Sequence, residues 1–133
     1  MIPEEATIVK DMSIPEAIII LKSDGIVYCD YKEGVELDVP LQMLMLDVFN
    51  ELTEGKKVPF LIEGGLGVTI TKEARDNAIK IEDISPFKAT AVVVRNIAQA
   101  LIANFFIKFN KPKSPYRVFN NKDEAIDWLK EYL

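Results

Sequence analysis

Apolar residues fall along this chain in short blocks whose spacing switches between that of strands and that of helices. Ala17 to Lys22 (AIIILK) is an apolar run of strand length, rich in β-branched Ile. Ser23-Asp24-Gly25 follows with turn chemistry, and Ile26 to Tyr31 (IVYCDY) is a second run, so the pair predicts a hairpin. The period then changes. Leu41, Leu44, Met45, Val48 and Leu52 recur at helical spacing, with Asp38 placed as N-cap, Pro40 tolerated in the first turn and Gly55 ending the helix. Val58 to Ile62 (VPFLI) predicts a short strand, and Glu63 to Ile70 (EGGLGVTI) a loop. Thr71 opens a second helix reaching about Glu82, whose inner face is light: Ala74, Ala78 and Ile81. Small residues there imply either close approach to the sheet or a helix only half covered. Lys88 to Val94 (KATAVVV) predicts a buried strand, and Asn96 caps a third helix running to about Phe109. Lys111 to Pro115 (KPKSP) breaks it, and Tyr116 to Phe119 is a last strand. Asn121 with Glu124 three residues on makes a capping box for a final helix carrying Ala125, Ile126, Leu129 and Leu133.

The resulting order is β-β-α-β-α-β-α-β-α. Strands that alternate with helices after an initial hairpin predict an α/β fold with a mainly parallel sheet and flanking helices. Residues 1–15 contain Pro3 and Pro15 and hold no sustained period, so they predict an extended or loosely attached arm. Residues 16–133 then form the domain. At 133 residues the chain has the length of a single domain, enough to bury roughly two-thirds of its unfolded surface.

Composition mainly removes chemistries. There is no histidine, which excludes Ser-His-Asp and Cys-His pairs, an imidazole base and ordinary zinc sites. The one cysteine, Cys29, cannot form an internal disulfide and sits mid-strand, where a buried inert thiol is expected. A net charge of −5 argues against general nucleic-acid binding. No run of apolar residues approaches the ~18 of a membrane-spanning helix, and the acidic start MIPEEATIVKDM lacks a signal peptide's basic region, so a cytoplasmic protein without stable membrane insertion is expected. Gly64, Gly65 and Gly67 invite a phosphate-cradle reading, but they stop short of the next helix and lack a following Gly-Lys-Ser/Thr. The carboxylate pairs Glu4/Glu5, Glu82/Asp83 and Asp123/Glu124 sit in the arm or at helix ends, where acidic residues cap and solvate. Lys108, Lys111, Lys113 and Arg117 lie beside Phe105, Phe106, Phe109 and Tyr116, a mixture compatible with RNA or acidic lipid but ordinary at a helix C-terminus. No cofactor or metal is implied.

Four segments carry a resemblance: the hairpin DGIVYCDYKEG, ITKEARDNA, ATAVVVRNIAQALIANFFIKFNKP and the closing YRVFNNKDEAIDWLKEYL. Over residues 17–133 the chain resembles the STAS-like fold of anti-sigma factor antagonists, and more closely a group of small uncharacterised bacterial proteins with that fold. In the antagonists a Ser or Thr at the start of the helix after the third strand is phosphorylated by a partner kinase, which switches binding. The position this implies is Thr71, with Thr69 as alternative; EGGLGVTIT stands where the antagonists carry Asp-Ser-Ser-Gly. The resemblance implies a non-enzymatic protein-interaction module of regulatory type. A comparison of the same fold class with lipid carriers leaves a second reading, a small carrier of an apolar or lipid-like ligand.

The third helix suggests how such a module would associate. From Ile97 to Phe109 only Gln99, Asn104 and Lys108 are clearly polar. A stripe of Ile97, Leu101 and Phe105 is expected to face the sheet. Ile102, Phe106 and Phe109 then form a second stripe, the expected surface for a homodimer or an apolar ligand.

Overall fold

The computed structural model describes residues 6–133. The Glu4/Glu5 pair and the first five residues of the expected arm lie outside them. Strand β1 (Ile8–Asp11) pairs antiparallel with β2 (Ala17–Lys22), so part of the segment read as an arm is an edge strand. β2 turns into β3 (Val27–Tyr31) through the expected hairpin, in the register Ala17–Tyr31 to Leu21–Val27. Asp24 makes this turn: its Oδ1 accepts from the Ile26 N–H at 3.0 Å and its Oδ2 from the Tyr28 hydroxyl at 2.6 Å. Gly25 takes φ +82, and a Cβ there would meet the Leu133 side chain at 2.9 Å.

A two-residue strand, β4 (Glu36–Leu37), leads into α1 (Val39–Thr53), capped as expected by Asp38, whose side chain accepts from the Leu41 N–H. Glu54 and Gly55 both adopt positive φ and end it. β5 (Val58–Gly64) runs two residues further than the apolar run implied. β6 (Thr69–Ile70) pairs in parallel with β4 as a second, minimal sheet. α2 (Lys72–Lys80), a 3-10 turn at Glu82–Ile84, β7 (Phe87–Val93), α3 (Ile97–Asn110), β8 (Tyr116–Phe119) and α4 (Lys122–Lys130) complete the order.

The main sheet runs β1-β2-β3-β5-β7-β8, antiparallel among the first three strands and parallel from β3 onward. Alternation along each strand splits the core in two. On one face Tyr28, Leu61, Ala89, Ala91 and Phe119 meet Ala125 and Leu129 of α4. On the other, Ile19, Val27, Cys29 and Phe60 meet Met45, Phe49 and Leu52 of α1. There Phe60 stands edge-on to Phe49 and Phe87, ring centres 5.1 and 4.6 Å apart. α1, with Phe49, and α3, with Phe106, cover the second face at either side of α2, so that face carries the thicker layer.

Candidate functional site

Between α1, α2, α3 and the sheet lies a cavity of about 240 Å³. Its floor is Ile62, Thr90 and Val92, with Tyr31 and Tyr116 toward the two sides. Its roof is Ile102, Ala103 and Phe106 of α3, and Ala78 of α2 closes one wall. Small side chains create the space, because Ala78 and Ala103 stand where longer residues would reach the sheet.

The polar groups of the lining are few. Thr90 is buried. Burial alone pushes the Tyr116 hydroxyl well above its ordinary pKa, and burial is also the main cause for Tyr31, beside the Cys29 thiol. Both phenols therefore stay neutral and able to donate one hydrogen bond each. No Lys or Arg lines the cavity, and its two carboxylates are engaged at the rim. Glu82 accepts from the Lys113 backbone N–H at 2.9 Å. Glu63 accepts from Arg95 at 3.1 Å and from Lys122 at 3.4 Å.

α3 is fixed at its start. Arg95 donates to the Gly64 carbonyl at 2.7 Å and pairs with Glu63 and Asp30, while Asn96 caps the first turn. Gln99 donates to the Gly64 and Gly65 carbonyls at 3.1 and 3.2 Å. This polar residue points inward, and that sets the rotation of the whole helix. The expected faces are consequently exchanged. Ile97, Leu101 and Phe105 are exposed at 80%, 66% and 45%, and do not face the sheet. Ile102 and Phe106 turn inward, Phe106 stacking 5.3 Å from Tyr116. Of the expected association stripe only Phe109, 60% exposed, is outside. The outer row is therefore Ile97, Leu101, Phe105 and Phe109, with the last two rings 4.4 Å apart.

Other sequence candidates find ordinary places. Thr71 is the α2 N-cap, its Oγ1 accepting from the Ala74 N–H at 3.1 Å, while Thr69 lies exposed in β6. The glycines serve packing: a Cβ at Gly65 would stand 2.9 Å from the Glu33 backbone. The basic cluster is divided, with Lys108 over Phe109 and Arg117 over Phe119 on the opposite face of the sheet. Glu82 and Asp83 meet Lys113, and Asp123 and Glu124 occupy the first turn of α4. Cys29 is fully buried, and burial pushes its thiol far above the ordinary range. Among the described residues no group of His, Cys, Asp or Glu is arranged to hold a metal ion, and no helix is long and apolar enough to cross a membrane. The sequence reading missed the cavity and the roles of Tyr31 and Tyr116; the light face of Ala74 and Ala78 was its one visible signal.

Comparison with known proteins agrees with this architecture. The crystal structure of an uncharacterised protein of the DUF3478 family from Shewanella loihica PV-4, described as having a SpoIIAA-like fold, superposes with a TM-score of 0.55 at 16% identity, covering 97% of this chain and 98% of that one. The likeness establishes the SpoIIAA-like, or STAS-like, fold. No curated protein matches the sequence. The sequence model of the Domain of unknown function (DUF7793) matches residues 19–133, and the chain belongs to that family.

Proposed function

We propose that this protein is a non-enzymatic interaction module that self-associates through the outer face of α3. One observation carries the reading: four large apolar side chains, Ile97, Leu101, Phe105 and Phe109, stand in a continuous exposed row along one helix. Single apolar residues are common on protein surfaces, whereas a contiguous row marks a contact site. The row extends roughly 18 Å along the helix axis. α3 itself carries a single charged residue, Lys108, stacked over Phe109, and Arg75 of α2 stacks over Phe105, so a second copy covers the row with both cations held against its aromatic rings. A two-fold axis lets each row cover the other.

The non-enzymatic part rests on the side chains themselves. Among the described residues the lone thiol is buried, Glu82 and Asp83 meet Lys113, and Asp123 and Glu124 lie in the first turn of α4. Sedimentation velocity at tens of micromolar tests the self-association. The wild type is expected as a dimer and Leu101→Glu as a folded monomer. A monomeric wild type, or a variant that remains dimeric, contradicts it.

A further inference from the structure

We propose that the cavity beneath α3 is a binding site for one small, neutral, apolar ligand carrying a single hydrogen-bonding group. The site lies on the side of α3 opposite the exposed row, so it is independent of self-association.

Size comes from the volume. A cavity of ~150 Å³ lined by aliphatic and aromatic groups takes up benzene, six carbon atoms. At about 240 Å³ the same density of filling corresponds to a ligand of roughly ten carbons. A full-length acyl chain is longer than this space holds and would project from its open side.

Charge comes from the lining. No Lys or Arg faces the space, and Glu63 and Glu82 stand at its edge. A carboxylate or phosphate ligand would lose its water among apolar walls with no cation in the lining to meet it, since Arg95 and Lys122 at the rim already pair with Glu63, and that desolvation is unfavourable. A fatty acid is therefore excluded as an anion, while an alcohol, phenol or ketone is accepted.

Orientation comes from Tyr116. Its ring stacks on Phe106 of the roof, and its half-buried side chain keeps the hydroxyl neutral and able to donate. A phenol hydroxyl at the edge of an apolar cavity is best satisfied by a polar partner. A ligand oxygen supplies one, while Ile62, Val92, Ile102 and Phe106 surround the carbon skeleton.

The test uses 1-naphthol, naphthalene and decanoate as probes, titrated into the intact protein and followed by NMR. Wild type is expected to bind 1-naphthol saturably at one per chain, with chemical-shift changes centred on α1, α2, α3 and the strands β3, β5, β7 and β8 beneath them. Decanoate is expected to bind at least tenfold more weakly at pH 8. Tyr116→Phe is expected to lose roughly fivefold in affinity for 1-naphthol, the worth of one hydrogen bond, and nothing for naphthalene. Filling the site from either wall, with Ala103→Leu or Ala78→Leu, is expected to abolish saturable binding of both, while Leu101→Glu on the outer row leaves it unchanged. No saturable 1-naphthol binding by wild type overturns the proposal. So does binding that survives both wall variants, tracks the outer row, or favours decanoate.

Discussion

Ala103→Leu is the substitution that most directly measures the space under α3. Ala103 is the one buried residue of that helix and its side chain forms part of the cavity roof. Leucine adds three carbon atoms pointing into the cavity, and each buried methylene-sized group contributes about 0.8 kcal/mol. Restricted rotation of the new side chain offsets roughly 0.5 kcal/mol of that gain, and helix propensity changes little between the two residues. The expected result is stabilisation by about 2 kcal/mol. Urea denaturation at fixed protein concentration reads this as a higher midpoint with unchanged slope; for a slope of roughly 1–3 kcal/mol per M the midpoint rises by about 1 M. In a close-packed site the same change would force neighbours aside and destabilise by about 1–3 kcal/mol. The two outcomes differ in sign. A lowered midpoint would refute the cavity and with it the reading of α3 as a helix held off the sheet.

Three further expectations concern the supports of the site. Gly65→Ala places a Cβ 2.9 Å from the Cα and N of Glu33, both backbone atoms, and is expected to destabilise by about 1–3 kcal/mol; an unchanged melting temperature contradicts the close approach of the two loops. Thr71→Ala removes the α2 cap and is expected to lose about 1 kcal/mol in denaturant titration, with Thr71→Ser retaining most of it; equal loss in both contradicts the capping role. Tyr28, Tyr31 and Tyr116 are raised above the ordinary tyrosine value of 10.0, chiefly by burial, while an unfolded chain would ionise near that value. Their contribution to stability is therefore complete below pH 10 and is lost as pH climbs from there toward the folded values. Alkaline absorbance titration is expected to show these three ionising only together with loss of the fold; reversible ionisation of all four tyrosines near pH 10 in the folded protein contradicts it.

Local signals made most of this fold legible in the sequence. Asp24 and Gly25 specify the hairpin, Asp38, Thr71, Asn96 and Asn121 each cap the helix they precede, and the β-branched runs mark the central strands. What escaped had weak local signals or depended on distant partners. β4 and β6 are two residues each and exist through one another, and β1 is an edge strand with every residue exposed, so burial leaves no period to read. The rotation of α3 is the instructive case. Hydrophobicity alone favours Ile97, Leu101 and Phe105 as its buried face. The carbonyls of Gly64 and Gly65, more than thirty residues away, bind Gln99 and turn that face to solvent. A polar side chain satisfied by a distant loop overrides the larger apolar stripe, and the cavity and the exposed row both follow from it.

The central claim is that two copies meet along the outer row of α3, and an inter-label distance tests it most directly. Asn104 is exposed and lies off the row, while Cys29 is buried beyond the reach of thiol reagents, so a nitroxide on Asn104→Cys labels one place. Helices packed face to face have axes about 8–10 Å apart, which brings the two labels within roughly 30 Å. The account predicts a dipolar signal in that range at tens of micromolar, abolished by adding Leu101→Glu. A label pair with no dipolar coupling at that concentration, or a coupling that survives Leu101→Glu, would contradict it.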